Sequence, residues 1–464
     1  MTQAKTIGEL RQSEYRVLNV KDELRKNLVG RIRSGEELFP GIVGYEETVL
    51  PQIENAILSG QDIILLGERG QAKTRIIRAL VGLLDPEVPV IEGCEINDSP
   101  YVPTCSSCLA RVEAEGDAAP IAWLPRERRY GEKLATPDIT IADLIGEVDP
   151  IKVAEGRYLS DEFTIHYGLI PRTNRGIFCI NELPDLSERI QVGMFNIMEE
   201  RDVQIKGYKV QLPLDLFLIA SANPEDYTNR GRIITPLKDR FGAQIRTHYP
   251  KTLEHEIEIM DAEREPIADV GVSLTMPQYM KETVAEFTNL ARKSGDVNQR
   301  SGVSVRVSIG NYETISSNAV RRALRLKEKE AVPRVSDMAY FLTSTAGKVE
   351  LESVEEGREP RIIEDLTKRA VLNTFNNHFS VNEFDAIIRR FDEGLSIDTG
   401  DMIPSKDLSG WLKDLPELKD AANRLGVKRS VAAQASVVEF VLDGLHLSRK
   451  INKDKHEGGY RYRG

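Results

Sequence analysis

Several things this chain lacks narrow its nature before anything it contains is considered. Cysteine is scarce, four in 464 residues, too few for a disulfide framework. No run of about 18 apolar residues occurs, so no membrane-spanning helix is expected. The stretch Met1–Glu14 is polar and mixed in charge, without the apolar segment that directs export. No internal repeat or low-complexity segment is evident. Excess positive charge is also absent: 62 Lys and Arg stand against 73 Asp and Glu, a net charge of -11. That balance repels phosphate backbones at long range and argues against a general nucleic-acid binder, although it leaves room for a small basic patch. The composition itself is ordinary, with 41% hydrophobic and 29% charged residues, which excludes wholesale disorder. At roughly 100–200 residues per domain the expectation is a multidomain cytoplasmic protein with no membrane insertion.

The texture changes along the chain. Up to Pro40 it reads as charged helix, with Leu18, Val20, Leu24 and Leu28 forming one narrow apolar stripe. From Gly41 to Tyr249 short apolar runs alternate with helical stretches. Ile63–Leu66, Val88–Ile91, Ile177–Ile180 and Leu216–Ala220 suit strands buried on both faces of a parallel sheet. Beyond Lys251 helical periodicity dominates, as in His255–Arg264 and Val284–Lys293, with breaks at Ser294–Gly302 and Ser396–Pro404. The basic stretch Arg449–Arg463 reads as a frayed, solvated tail.

The chemistry begins after the first strand. Gly67-Glu68-Arg69-Gly70-Gln71-Ala72-Lys73-Thr74 follows Ile63–Leu66 and precedes the helical stretch Arg75–Leu83. Strand, glycine-bearing loop and helix are the setting of a phosphate loop. Its backbone N–H groups point at phosphates, a lysine reaches the β and γ oxygens, and a hydroxyl coordinates Mg²⁺. Lys73 and Thr74 fit the last two roles. Ala72 departs from G-x-x-x-x-G-K-[ST], standing where the second glycine is usual. If that position needs φ > 0, its Cβ costs about 1–2 kcal/mol.

A second strand, Gly176–Ile180, ends in Asn181-Glu182. In phosphate-loop ATPases the acids ending such a strand hold the Mg²⁺ shell and polarise the attacking water. Glu182 is the candidate base. Asn181 stands where an aspartate is expected; its amide can still accept from a Mg²⁺-bound water but adds no negative charge, so weaker Mg²⁺ binding is expected.

Further pieces fall in order around these two: Phe39-Pro40-Gly41-Ile42-Val43-Gly44-Tyr45-Glu46 before the loop, Gly168–Gly176 before the catalytic strand, then Ser221-Ala222-Asn223-Pro224-Glu225 and Leu237-Lys238-Asp239-Arg240-Phe241-Gly242. From about Phe39 to Arg306 the chain resembles the AAA+ ATPases, specifically the magnesium chelatase I-subunit family, with the MoxR-type ATPases next. The resemblance implies an α/β fold: a P-loop AAA+ domain with a parallel sheet between helices, followed by a helical lid and a helical C-terminal region. The implied boundaries are an N-terminal helical segment at 1–40, the AAA+ domain at 41–250 and the lid at 251–345, with an unmatched helical region at 346–464. It further implies ATP and Mg²⁺ as cofactors and nucleotide contacts at Gly67, Glu68, Arg69, Gly70, Gln71, Ala72, Lys73, Thr74 and Arg75. Thr74 and Asn181 would face the metal. Asn223 matches the sensor-1 asparagine, Arg240 the arginine finger that acts in the neighbouring subunit, and Arg306 is the candidate sensor-2 arginine. A trans-acting finger implies a homo-oligomeric ring, a hexamer.

Two insertions of the clade have counterparts here. Val203, Ile205, Lys206-Gly207, Tyr208, Val210 and Leu212 carry a hairpin pattern, and Ile145–Ile170 occupies the place of the helix-2 insert. The departures at Ala72 and Asn181 mean that the match supports an ATPase of this clade better than metal insertion into a porphyrin. Alanine before the loop lysine also occurs in the related minichromosome-maintenance helicases. The usual partner in the clade resembles a von Willebrand A-domain protein; no Asp-x-Ser-x-Ser run is present here, so that partner would be a separate chain. The expected function is ATP-driven remodelling of a protein partner. The alternatives are a chelatase ATPase subunit, a nucleotide-gated scaffold with weak hydrolysis, and a translocase gripping phosphates with Lys206 and Lys209.

Cys105-Ser106-Ser107-Cys108 has metal-ligand spacing, with Cys94 upstream. A structural zinc site needs four ligands, and only three cysteines are local. A second chain, His166 or a carboxylate would complete the set; otherwise these are reduced thiols in a loop. Cys179, in an apolar strand, reads as a buried core thiol.

Overall fold

The computed structural model describes residues 3–148, 165–199, 202–204, 211–223, 232–268, 270–299, 301–352, 357–427, 429–456 and 458–464. The chain divides into two compact units, Met1–His248 and Tyr249–Gly464.

The strands of the first unit are β1 Ile63–Leu66, β2 Glu87–Ile91, β3 Ile121–Pro125, β4 Tyr130–Leu134, β5 Gly146–Val148, β6 Ile165–Tyr167, β7 Gly176–Asn181, β8 Asp202–Gln204, β9 Gln211–Pro213, β10 Leu216–Ala222 and β11 Ala243–Arg246. Five of them form one sheet in the order β11-β1-β10-β7-β4, every neighbouring pair parallel. The apolar runs of β1, β7 and β10 are continuous because both faces are covered. Ile63, Leu65, Ile177, Cys179, Phe217 and Ile219 face one core, built against the helices α2 Val20–Ser34, α3 Val49–Leu58 and α4 Lys73–Ala79. Ile64, Phe178, Ile180, Leu218 and Ala220 face the other. Helix α1 spans Ile7–Gln12 and α5 spans Ser106–Glu115.

The strand expectations hold for β1, β7 and β10, but Val88–Ile91 is a correction. It lies in β2, which pairs antiparallel with β3 outside the main sheet. The edge position falls instead to β4, whose Tyr-Gly-Glu-Lys-Leu sequence has no apolar run because an edge strand is only partly covered. The stripe of α2 also starts later than its spacing suggests. Asn19 caps the helix, accepting from Asp22 N at 2.8 Å. Val20, Leu24 and Leu28 are buried, whereas Leu18 precedes the cap and is exposed. A buried ion pair ties α2 to the sheet: Arg129 donates to both Glu23 carboxylate oxygens at 2.7 and 2.6 Å and to Arg175 O at 2.7 Å.

The two segments expected as insertions each begin and end in strands that pair with one another. β8 pairs antiparallel with β9, Val203 opposite Leu212, and β5 pairs with β6, Glu147 opposite His166. Ile205, Lys206, Gly207, Tyr208, Lys209 and Val210 lie outside the described residues, as do residues 149–164.

In the second unit, helices from the segments 251–345 and 346–464 share one core. Met280, Phe287 and Ile315 pack in the same apolar cluster as Phe375, Phe384 and Phe440. The helix Val431–Leu447 is buried almost all round, and a Cβ on its Gly444 would sit 2.2 Å from the Phe375 ring. The basic stretch Arg449–Arg463 is not frayed: Asn452–His456 and Gly459–Arg463 form an antiparallel hairpin that adds Ile397–Thr399. Tyr462, 1% exposed, anchors it, which apolar burial of an aromatic ring accomplishes despite the surrounding charge. Among the described residues, no helix is long and apolar enough to cross a membrane.

Candidate nucleotide site

The three innermost strands deliver their carboxyl ends to one edge of the sheet, where open parallel sheets place ligands. β1 leads into the loop Gly67–Ala72, β7 ends at Asn181 before Glu182, and β10 leads to Asn223. The backbone stitches these ends together: Gly67 N donates to Ala222 O at 3.1 Å and Thr247 N to Leu66 O at 2.8 Å.

The loop is shaped by two left-handed residues. Gly70 has φ +74° and Ala72 has φ +53°. Ala72 does adopt the conformation in which a Cβ is costly, and Gly70 does so without that cost. Ala72 stands immediately before α4, which runs seven residues and continues as a 3-10 turn, Leu80–Leu83. Gly67 is required by close approach: a Cβ there would lie 1.9 Å from Thr247 Oγ1 and 2.2 Å from Gln71 Oε1. Gln71 closes the loop from inside, its Oε1 accepting from Glu68 N at 3.1 Å and from Thr247 Oγ1 at 2.7 Å. Behind it the Tyr45 hydroxyl donates to Gln71 O at 3.0 Å and His248 O at 2.6 Å. Burial pushes the Tyr45 phenol up to about 12, so it stays a donor.

Lys73 is buried and turns back over the loop, donating to Gly67 O and, at 2.9 Å, to Glu68 O. Thr74 is half-buried in the first turn of α4; Arg69 and Arg75 are exposed. The Arg75 guanidinium lies 2.8 Å from where a Cβ on Gly41 would be.

Asn181 lies on the same sheet face as Cys179, the face covered by α4. Both ends of its amide are hydrogen-bonded. Nδ2 donates to Glu132 Oε1 at 2.5 Å, and Oδ1 accepts from Ser221 Oγ at 3.2 Å and Cys179 Sγ at 3.5 Å. Burial pushes the Cys179 thiol up to about 12, in keeping with a core thiol. Glu132 also meets Arg78 of α4 at 3.0 and 3.2 Å and the Tyr130 hydroxyl at 2.9 Å. This carboxylate pushes the Arg78 guanidinium up. A carboxylate thus stands beside the position that lost one, contributed by the neighbouring strand. Its sequence carries no signal, because β4 lacks strand periodicity.

Glu182 has φ +55° and ψ +50°, a left-handed conformation that a non-glycine residue adopts at a cost of order 1–3 kcal/mol. Its N–H donates to Ser221 Oγ at 3.1 Å. Asn223 is 3% exposed, and its Oδ1 accepts no hydrogen bond among the described residues. The structure therefore brings together residues 67–75, Asn181, Glu182 and Asn223. Arg240 of the same unit is engaged elsewhere. Arg240, ending the helix Thr235–Arg240, donates to Glu199 at 3.0 Å and to Pro236 O at 2.8 Å and lies 4.6 Å from the Phe195 ring centre. Arg306 belongs to the second unit, exposed at the second position of the helix Val305–Leu326. Glu225 lies outside the described residues.

No family model matches the chain. Among curated proteins, the magnesium-chelatase 38 kDa subunit of Cereibacter sphaeroides is 27% identical over 226 residues, 48% of this chain and 62% of that protein. The corresponding Rhodobacter capsulatus subunit is 28% identical over 59% of its length; the chain thus spans about three fifths of each. The magnesium-chelatase subunit ChlI of Nephroselmis olivacea matches over 69% of this chain and 92% of its own length at 26% identity. Among solved structures, a cryo-EM complex of magnesium-chelatase subunits BchI and BchD aligns at 20% identity with TM-score 0.37, over 71% of this chain and 98% of that one. NtrX of Brucella abortus aligns at 14% identity and TM-score 0.39, over 79% and 72%. The chain is an α/β protein with a five-stranded parallel sheet, and its sequence is similar to the I subunits of magnesium chelatases.

Proposed function

We propose that the chain is an ATP-hydrolysing AAA+ ring protein of the magnesium chelatase I/MoxR clade that couples ATP binding and hydrolysis to remodelling of a protein partner. The observation that carries this reading is the convergence of the Gly67–Thr74 loop with Glu182 and Asn223, whose buried Oδ1 accepts no hydrogen bond among the described residues, at the carboxyl ends of adjacent parallel strands. The fit to a nucleotide is physical. Gly67 leaves a cradle that a Cβ would fill, and Lys73 turns its ammonium over the loop, donating to Gly67 O and Glu68 O, where a phosphate-loop lysine meets its anion.

In this reading the loop N–H groups and Lys73 hold the β and γ phosphates. Thr74 and Asn181 would hold Mg²⁺, which would supply positive charge against that developing on the transferred phosphoryl group. Glu182 takes the proton of the attacking water, Ser221 fixing the Glu182 backbone at the strand end. The Asn223 side chain orients that water. Arg240, released from Glu199, reaches a neighbouring protomer's site in a ring, and Arg306 serves as the lid arginine. The partner is a separate von Willebrand A-type protein.

Steady-state hydrolysis with Mg²⁺ tests the reading. Wild type turns over, while Lys73→Ala and Glu182→Gln lose turnover, typically by 10²-fold or more. Wild type that binds ATP yet turns over no faster than Glu182→Gln overturns the motor. That outcome would favour a nucleotide-gated scaffold, the reading supported by the amide at position 181. A chelatase ATPase subunit is the version suggested by the relatives' names, and metal insertion in the presence of a porphyrin-binding subunit would distinguish it.

A further inference from the structure

The loop between β2 and α5 brings together a cluster that the nucleotide site does not use. Gly93, φ +74°, and Asn97, φ +55°, turn the chain back on itself. Cys94 N donates to Ile91 O at 3.2 Å, and Ile91 N donates to Asp98 O at 3.1 Å. The result places one ligand atom each from Cys94, Asp98, Cys105 and Cys108 within 4.8 Å of one another. His166 is exposed, in β6, and is not part of the group.

Two features separate this cluster from thiols merely packed in an apolar core. The first is Asp98, 0% exposed. Its described partners are all neutral: Thr104 N and Cys105 N donate to Oδ2 at 3.0 and 2.9 Å, and Thr104 Oγ1 donates to Oδ1 at 2.6 Å. A buried carboxylate is expensive unless a cation answers it, and Oδ1 keeps acceptor capacity toward the sulfurs. The hydrogen bonds hold the carboxylate in place, as outer partners of metal ligands do. The second is the treatment of the sulfurs. Asp98 N donates to Cys94 Sγ at 3.3 Å and Cys108 N to Cys105 Sγ at 3.4 Å. Backbone N–H groups aimed at sulfur stabilise thiolate rather than thiol.

We propose that Cys94, Cys105, Cys108 and Asp98 form a structural zinc site. Three thiolates and one carboxylate oxygen complete a tetrahedron, with Zn–S near ~2.3 Å and Zn–O near ~2.0–2.2 Å. Thiolate-rich tetrahedral sets select zinc over harder divalent ions. Binding releases the thiol protons to solvent, and the ion supplies positive charge to Asp98, whose described partners are all neutral. The site is closed, with Cys105 and Cys108 buried and Cys94 partly open. Its role is to clamp the 92–105 loop onto the segment preceding β7: Asn97 Nδ2 donates to Arg172 O at 2.8 Å and Asn174 Nδ2 to Ile96 O at 2.9 Å. Asn174 Oδ1 in turn accepts from Asp215 N, at the root of β10, at 2.9 Å.

The test is metal content of the full chain, purified under reducing conditions, incubated with ZnCl₂ and desalted. The expected result is about one zinc per chain, with loss of most of it in Cys108→Ser and Asp98→Asn. Substitution with Co²⁺ alone should give the intense visible bands of a tetrahedral thiolate site, shifted in Asp98→Asn. If the variants do not fold, titrating wild type with an organomercurial while following zinc release replaces them, zinc leaving in proportion to thiols modified. Wild type that retains no zinc above the metal-free background, or holds a Cys105–Cys108 disulfide under these conditions, overturns the site. Full zinc content in folded Asp98→Asn overturns the carboxylate as fourth ligand.

Discussion

Asn181→Asp places at the end of β7 the residue type that the proposed Mg²⁺ role would favour, and the structure gives it a cost. Asn181 Nδ2 lies 2.5 Å from Glu132 Oε1. An aspartate there replaces a donated hydrogen bond with an oxygen facing an oxygen. Two ionised carboxylates with charge centres about 4 Å apart repel by about 4 kcal/mol at an effective dielectric constant of 20. Arg78 offsets part of this, but its side chain is 63% exposed, against 22% for Glu132, so solvent screens it. A loss of about 2–3 kcal/mol at pH 8 follows. The sign of the pH dependence is set by linkage. The pair's carboxyl pKa rises above the ordinary value near 4 in the folded state only, so the folded protein binds the extra proton. The penalty is therefore full above the raised pKa and disappears as pH falls toward 4. Urea denaturation of wild type, Asn181→Asp, Glu132→Gln and the double variant, at pH 5 and pH 8, measures it. The double variant should recover about 2 kcal/mol of coupling at pH 8. Mg²⁺ with ATP should stabilise Asn181→Asp more than wild type, since a divalent ion answers the added charge. A single variant as stable as wild type at pH 8, with no coupling to Glu132, would refute the reasoning.

Other perturbations test separate parts of the molecule. Asp215 accepts from Val20 N at 3.0 and 2.9 Å, yet burial pushes its carboxyl up to about 6. Its folded pKa exceeds the unfolded value, so it favours the folded state below pH 4 and that contribution is lost as pH rises through 6. Asp215→Asn should gain about 2 kcal/mol over wild type at pH 8 and nothing at pH 4, read from denaturation midpoints; equal gain at both pH values would contradict this. Ala72→Gly relieves a left-handed alanine that is exposed and loses no packing. After the entropy that glycine adds to the unfolded chain, a net gain of about 0.5–1 kcal/mol remains. A melting temperature raised by about 1–3 °C in nucleotide-free protein is the expected readout, and an unchanged or lower one counts against it.

Local pattern alone was enough for much of the first unit. β1, β7 and β10 are read directly from Ile63–Leu66, Ile177–Ile180 and Leu216–Ala220, because strands covered on both faces must be apolar throughout. The loop Gly67–Thr74 declares itself by composition, since close approach at Gly67 and the turn at Gly70 admit little else. Helical periodicity likewise marks most of the second unit. What depended on non-local contact was hidden. β4 has no apolar pattern, because an edge strand is half solvated, so Glu132 carried no signal. Val88–Ile91 looks like a central strand because apolar runs do not encode partners, and the chain pairs it with β3. The basic stretch Arg449–Arg463 looks solvated until Tyr462 finds a buried slot beside Ile397–Thr399. The cysteine motif is one ligand short in sequence. Asp98 joins it only because Gly93 and Asn97 fold the loop back, a decision made by left-handed turns and by the backbone amides that receive its carboxylate. Residue type and spacing thus determined which chemistry the strand ends offer, while tertiary packing decided which carboxylates stand beside them, because charge complementarity acts across space and leaves no period in the chain.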